Sequence, residues 1–208
     1  MVTSWGKSTH QPSRAESPPP ASARLHSGLL NIIKHITVML YAIIIFASFF
    51  VLRLFSLAFS IRNEKRLIKC GATQYGKRNS LLLTLAHIAY YFGALYEGYT
   101  SNMEFDRTSV IGVAVMAFAY IMLFYVIYKL SDVWTVKLYI VPNHRIDRSF
   151  LFRTVRHPNY FLNIIPELIG VALLCHAWTT LCVGLPLYGY LLIVRIRQEE
   201  RAMRHLLS

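Results

Sequence analysis

Four long apolar regions, separated by polar and basic segments, dominate the chain at about residues 36–59, 81–99, 109–130 and 161–194. A membrane-spanning helix needs about 20 predominantly apolar residues. The first three regions therefore predict one span each. The fourth region contains Pro186 and is long enough for two short, tightly connected helices. The pattern predicts an all-α, polytopic integral-membrane helix bundle of about five transmembrane helices, ending in a C-terminal helical hairpin.

Composition supports this interpretation and sets the domain limits. The 208 residues are 55% hydrophobic and only 15% charged, whereas soluble domains average about 25% charged residues. Residues 1–27 are rich in Ser, Pro and Ala and lack the apolar content that offsets the entropy of ordering. We therefore predict a disordered leader at 1–27 and one membrane domain at 28–208.

The formal net charge of +12 raises the question of a nucleic-acid partner. Its distribution argues against one, because Lys and Arg concentrate in the segments 62–78, 129–156 and 195–204. With five spans, all three segments lie on the same side of the membrane. The positive-inside rule makes that side cytoplasmic.

Two charged clusters bracket the predicted hairpin: Arg156-His157-Pro158-Asn159-Tyr160 and Arg195-Ile196-Arg197-Gln198-Glu199-Glu200. An ionisable side chain at a bilayer centre costs on the order of 3 kcal/mol. These charges lie at the two ends of one hairpin, which we call its feet. They therefore indicate a binding site for a polar cofactor whose reaction partner arrives from the lipid. Pro158 suits the first turn of a helix, so the fourth span is expected to begin there.

Polar residues inside the spans leave alternatives open. Tyr160, Asn163 and Glu167 share one face of the fourth span, where they either line a cavity or join helices by hydrogen bonds. His87 and Glu97 in the second span either act as a base or orienting group, or staple helices together. The Arg and Glu pairs of the tail form either a solvated helical face or part of a binding site.

Several kinds of chemistry are not indicated. The chain has no glycine-rich phosphate loop, no Gly-x-Ser-x-Gly elbow and no metal-type spacing of His and Cys. Phosphoryl transfer, serine hydrolysis and a metal site therefore have no support in the sequence. Cys70, Cys175 and Cys182 are scattered and are expected to be reduced or buried.

Taken together, the two charged clusters at 156–160 and 195–200 resemble the signature of the isoprenylcysteine carboxyl methyltransferase family of integral-membrane enzymes. The similarity runs from about Arg53 to Met203 and looks strongest to a short bacterial branch, some of whose members O-methylate alkylpyrone or alkylresorcinol lipids. Further matching positions are Arg62-Asn63-Glu64-Lys65, Gly71-Ala72-x-x-Tyr75-Gly76, Trp134-Thr135-x-Lys137 and Glu167. Phe150-Leu151-Phe152 departs from the Gly-x-Tyr of many relatives. Asn163 replaces an aromatic residue that is common in eukaryotic members.

The resemblance implies an O-methyltransferase that uses S-adenosylmethionine as its cofactor. By position, His157 and Tyr160 would contact the cofactor from one foot, and Arg197, Glu199 and Glu200 from the other. A carboxylate or acidic enol acceptor arrives already ionised, whereas a phenol needs a general base, for which Glu167 and His87 are the candidates. Isoprenylcysteine carboxyl methylation, a sterol-type NADPH-dependent reductase and a non-enzymatic membrane scaffold remain as alternatives.

The resemblance also implies the partners and the location. The acceptor is expected to be a lipophilic small molecule that enters laterally from the membrane lipids, with a functional link to a type III polyketide synthase. The expected location is a bacterial inner membrane, with the active site facing the cytoplasm.

Overall fold

The computed structural model describes residues 20–101, 103–140 and 157–207. The chain divides into two units, residues 1–34 and 35–208, and every contact discussed below lies within the second unit. Arg156, most of the leader predicted at 1–27 and the departure at 150–152 lie outside the described residues.

Helices make up nearly all of the described structure, which confirms the predicted all-α membrane bundle with a C-terminal hairpin. They are α1 (Ala21–Lys69), α2 (Lys77–Thr100), α3 (Arg107–Leu130), α4 (Ile165–Leu174) and α5 (Leu185–Leu207). Two π-helical segments, Asn159–Ile164 and Thr180–Gly184, lead into α4 and α5. The α1 helix begins at Ala21, inside the predicted leader, because Ala, Leu and Arg in that stretch favour helix.

Three helical stretches in the described residues are long and apolar enough to cross a membrane: Gly28–Lys69, Arg107–Val133 and Thr180–Ala202. Asn159–Leu174 is a shorter apolar helix. The helix that contains Pro158 begins at that residue, as the sequence predicted. The protein is therefore an integral-membrane helix bundle, while the number of five spans stays a prediction.

A two-stranded antiparallel sheet joins the segment after α1 to the segment after α3. It pairs β1 (Thr73–Tyr75) with β2 (Leu138–Ile140), with Gln74 opposite Tyr139. Gly71 and Gly76 flank β1 with φ angles of 81° and 61°, a conformation that glycine adopts without strain. Strands of three residues are too short to be detected in the sequence by alternation of apolar and polar residues.

The end of α1 holds the chain that leads into β2. The Asn63 side-chain amide donates to the carbonyls of Ser131 (2.7 Å) and Trp134 (2.9 Å). The Ser60 hydroxyl accepts from the amide of Val136 at 2.9 Å. These bonds satisfy the backbone of a turn and bring Trp134 and Val136 against the bundle.

Helices α3 and α4 touch through glycines. A Cβ added at Gly112 would lie 2.5 Å from the Leu174 nitrogen and 2.8 Å from the Gly170 carbonyl oxygen. A Cβ added at Gly170 would lie 2.9 Å from the Gly112 carbonyl oxygen. Small residues allow such close approach of two backbones inside a membrane, and this contact fixes α4 against α3.

We expect Gly112→Ala to destabilise the bundle by about 1–3 kcal/mol, because the new methyl group meets backbone atoms that cannot rotate away. Gly189→Ala is the matched control, since nothing lies within 4 Å of a Cβ at Gly189 and Ala favours helix. Unfolding in detergent, followed by circular dichroism, measures both variants. Equal unfolding free energies for Gly112→Ala and the wild type would contradict the close contact.

Candidate active site

The two feet of the hairpin meet. The Nδ1 atom of His157 lies 3.4 Å from Oε2 of Glu199, and its Nε2 atom lies 3.8 Å from Oε1 of Glu200. The Tyr160 hydroxyl donates to Oε2 of Glu199 at 3.0 Å. The rings of His157 and Tyr160 stack with their centroids 5.7 Å apart. Two pairs of residues at least 39 positions apart in sequence thus form one group, which we call the foot cluster: His157, Tyr160, Glu199 and Glu200.

Arg195 ties the foot cluster to the rest of the bundle. Arg195 is only 3% exposed, and each of its three guanidinium nitrogens has a hydrogen-bond partner in the protein. Nε donates to the Tyr160 hydroxyl (3.3 Å), one terminal nitrogen to the Ser80 hydroxyl (2.9 Å) and the other to the Val136 carbonyl (3.1 Å). Arg197, in contrast, is exposed and makes no hydrogen bond or ion pair within the described part of the chain.

The two carboxylates act on the His157 imidazole. A hydrogen bond to Glu199 raises the pKa of His157 above its ordinary value of 6.5, and the negative charges of Glu199 and Glu200 act in the same direction against the opposing effect of burial. Protonated, the ring donates from both nitrogens. The foot cluster therefore combines a histidine of raised pKa with two partly exposed carboxylates.

A second polar group lies inside the bundle, centred on Glu167. This carboxylate is completely buried and accepts hydrogen bonds from Arg53, Tyr91 and Tyr120, the last at 2.8 Å. His87 Nε2 lies 3.9 Å from Oε1 of the same carboxylate. Since α1, α2 and α3 supply the partners, one side chain of α4 joins four helices. We call Arg53, His87, Tyr91, Tyr120 and Glu167 the inner cluster.

A cavity of about 480 Å³ connects the two clusters. Arg53, His87 and Tyr91 line it from the inner cluster, and Tyr160 lines it from the foot cluster. Most of the remaining wall is apolar or aromatic: Phe46, Phe50, Leu54, Leu57, Leu83, Ile88, Phe92, Trp134, Val136, Ile164, Tyr188 and Leu192. Such a space suits an elongated apolar molecule that carries a polar end.

The three polar residues of the fourth span do not all take the same one of the two predicted roles, which were lining a cavity and joining helices by hydrogen bonds. Tyr160 lines the cavity, whereas Asn163 and Glu167 are completely buried and lie outside its wall. The sequence treated the three as one face, but the π-helical turn at Asn159–Ile164 changes the angular spacing there.

Of the two candidate bases, the structure places His87 in the cavity wall and Glu167 behind it. Glu97 shows the stapling alternative, because its carboxylate accepts from the backbone amides of Thr179 (2.7 Å) and Thr180 (2.8 Å) and thus joins α2 to the start of the last helix. Sequence reasoning missed the contact of Arg53 with Glu167 and the three hydrogen bonds of Arg195. For Arg53, the available signal was an arginine within an apolar helix.

Comparison with known proteins gives the family. A model described as the isoprenylcysteine carboxyl methyltransferase (ICMT) family matches residues 110–205, which include the foot cluster and Glu167. An uncharacterized protein of Haemophilus influenzae is 60% identical over 168 residues, covering 81% of this chain and 98% of that protein. The uncharacterized protein YpbQ of Bacillus subtilis is 26% identical over 161 residues, covering 77% of this chain and 95% of its own. No solved structure matches.

The family match, which includes the residues of the foot cluster and Glu167, indicates an integral-membrane methyltransferase. The chain belongs to the isoprenylcysteine carboxyl methyltransferase family, which confirms the resemblance read from its motifs. This membership favours methyl transfer over the reductase and scaffold alternatives. Methyltransferases of the family use S-adenosylmethionine as the methyl donor.

We expect the His157 imidazole to titrate above pH 6.5 and Glu199→Gln to lower its pKa. The sign follows from the raised pKa: the stability contributed by the His157 and Glu199 contact is complete below the ordinary histidine value and is lost as the pH rises through the raised one. Histidine Cε1 resonances in isotope-labelled protein report the midpoint, and His157→Asn assigns the signal.

Glu97→Gln serves as the control for this titration, because Glu97 caps the last helix and has no contact with His157 among the described residues. It should leave the midpoint of His157 unchanged. A wild-type midpoint at or below 6.5, or one that Glu199→Gln does not lower, would contradict the contact.

Proposed function

We propose that this protein transfers a methyl group from S-adenosylmethionine to an oxygen of a lipophilic acceptor that enters the cavity from the bilayer. The observation that carries the proposal is a cavity of about 480 Å³, which has predominantly apolar walls and reaches Tyr160 of the foot cluster at one end. A polar cofactor at the foot cluster and an apolar acceptor in the cavity can meet there without leaving the protein.

The foot cluster fits the proposed cofactor by its donor and acceptor set. The carboxylates of Glu199 and Glu200 are 31% and 40% exposed and can accept hydrogen bonds from ribose hydroxyls or an amino group. The buried oxygens Asn163 Oδ1 and Gln198 Oε1 have no hydrogen-bond partner among the described residues. Arg197, exposed at the same end of α5, is the proposed partner of the cofactor carboxylate.

When bound, S-adenosylmethionine supplies an electrophilic methyl group on a sulfonium, and an acceptor oxygen forms the new bond as the sulfur departs with the electron pair. The protein has to hold the reacting atoms in line and exclude water. His157, Tyr160, Glu199 and Glu200 orient one reactant, and the apolar wall orients the other. For a neutral phenolic acceptor, His87 is the proposed general base, since Glu167 lies behind the wall.

An alkylpyrone-type or alkylresorcinol-type polyketide lipid, or a lipid carboxylate, is the proposed acceptor. A long alkyl chain fits the aromatic and aliphatic wall, and the small polar head fits the few polar groups in it. We propose a functional link to a type III polyketide synthase for the first two lipid classes. The proposed location is a bacterial inner membrane, with the basic segments and the foot cluster on the cytoplasmic side.

We expect Glu200→Ala and His157→Ala to abolish binding of S-adenosylhomocysteine, because each removes a polar partner from the foot cluster. Isothermal titration calorimetry in detergent measures the affinity, and circular dichroism checks that the bundle stays folded. Arg201→Ala, at an exposed position next to Glu200, is the control and should bind as the wild type does. Unchanged affinity in both site variants would refute the assignment of the foot cluster.

We expect the wild type to transfer radiolabelled methyl groups from the donor to a component of a bacterial lipid extract, and His157→Ala to transfer none. Chromatography of the labelled product identifies the acceptor class. Label found only in water-soluble material would contradict a lipophilic acceptor, because the cavity wall is predominantly apolar.

A further inference from the structure

We propose that the end of α1 carries a binding site for an anionic phospholipid of the membrane, separate from the cavity between the two polar clusters. The site is a pocket of about 470 Å³ beside the last turns of the helix. We call it the basic pocket, and its wall includes Ala58, Ile61, Arg62, Lys65, Arg66 and Lys69. Neither the foot cluster nor the inner cluster contributes to this wall. The inference therefore does not depend on methyl transfer.

The first argument is the change from apolar to basic residues along one face of α1. Residues three and four positions apart share a helical face. On this face Val51, Phe55 and Ile61 are 62%, 55% and 44% exposed. Arg62 and Lys65 follow on the next turn and are exposed as well. An apolar surface that ends in cations matches the two parts of a phospholipid, because acyl chains contact the first and an anionic head group contacts the second.

The second argument is the charge of the basic pocket. Its wall has four cations and, among the described residues, no Asp or Glu. Arg66 forms an ion pair with Asp132, with nitrogen and oxygen 2.7 Å apart. No hydrogen bond or ion pair in the described part of the chain engages the other three, which are Arg62, Lys65 and Lys69. Arginine can bind a phosphate through two parallel hydrogen bonds, and each lysine adds a point charge.

The third argument favours a phospholipid over a soluble anion. The basic pocket lies at the end of Gly28–Lys69, a helical stretch that is long and apolar enough to cross a membrane. Lipid head groups are therefore the anions at the highest local concentration beside it. A soluble phosphate would need only the cations, whereas Ala58 and Ile61 give the pocket an apolar side as well. A phospholipid uses both sides, because its first acyl carbons follow directly on the phosphate and glycerol.

A lipid in the basic pocket would also restrain the chain that follows α3. Asn63 belongs to the pocket wall, and its side-chain amide donates to the carbonyls of Ser131 and Trp134. Arg66 holds Asp132 in the same segment. A ligand that binds the folded state and not the unfolded chain stabilises the folded state. An anionic lipid should therefore raise the unfolding temperature more than a zwitterionic lipid does.

The test titrates the full-length protein in detergent with dioleoyl phosphatidylglycerol or dioleoyl phosphatidylcholine. These lipids share their acyl chains and differ in head-group charge. Native mass spectrometry counts the bound lipids and gives their dissociation constants. Each Lys or Arg near a membrane surface strengthens the attraction of anionic lipid by about fivefold. We therefore expect phosphatidylglycerol to bind about tenfold or more tightly than phosphatidylcholine.

The triple variant Arg62→Gln, Lys65→Gln and Lys69→Gln removes three cations of the basic pocket and leaves Arg66 paired with Asp132. We expect it to bind the two lipids equally and to show the same unfolding temperature in both. Circular dichroism checks that it folds. Lys65→Gln alone changes a single exposed position and should lower the preference for phosphatidylglycerol by about fivefold. This single variant keeps the test decisive if the triple variant does not fold.

The matched control removes the same amount of charge outside the basic pocket. Lys77→Gln, Arg78→Gln and Lys129→Gln change three exposed cations that do not belong to the pocket wall. We expect this control to retain the preference for phosphatidylglycerol. Glycerol phosphate, which carries the anion without acyl chains, is the soluble probe. It should not displace the lipid at equal concentration.

Equal affinity of the wild type for the two lipids would overturn the site, and so would a preference that persists in the triple variant. An equal loss of preference in the control would also overturn it, because the attraction would then come from all the basic segments together. Displacement by glycerol phosphate at equal concentration would overturn the assignment to a phospholipid. Calorimetry with S-adenosylhomocysteine on the same samples tests the proposed function separately.

Discussion

The buried carboxylate of Glu167 is the interaction on which the rest of the bundle depends. It lies in α4 among apolar helices and is held by groups from α1, α2 and α3. Removing one partner of a buried ion pair typically costs about 3–5 kcal/mol, because the remaining charge stays unpaired. The same pairing that positions four helices also brings Arg53 to the wall of the cavity. A single ion pair therefore sets both the helix arrangement and the charge that a ligand meets.

The foot cluster depends on this arrangement through α4. Tyr160 and Glu167 lie on one continuous helical stretch. The contacts that hold Glu167 in place therefore also restrain the position of Tyr160. Arg195 then completes the attachment, since it joins Tyr160 to Ser80 of α2 and to the carbonyl of Val136. The close contact of Gly112 and Gly170 holds α4 from its other side. The geometry of the polar end is thus built from restraints inside the membrane domain.

The sequence predicted the features that repeat along the chain or concentrate charge. The apolar regions predicted the helices, and the two charged segments predicted that His157 lies close to Glu199 and Glu200. It did not reveal the strands at Thr73–Tyr75 and Leu138–Ile140, because three residues carry too little pattern. It did not reveal Arg53 as the partner of Glu167 either, since they are 114 positions apart and no local spacing links them. Tyr160 lines the cavity and Glu167 does not, because a π-helical turn lies between them. Counting residues by the regular α-helical period does not foresee such a turn.

The separation of the two clusters explains how one chain can serve reactants of opposite character. The foot cluster is partly exposed and rich in acceptors, which suits a cationic, water-soluble donor. The cavity has a predominantly apolar wall, which suits the proposed lipophilic acceptor. If the two reactants meet at the end of the cavity beside Tyr160, the apolar wall excludes water from the proposed methyl transfer.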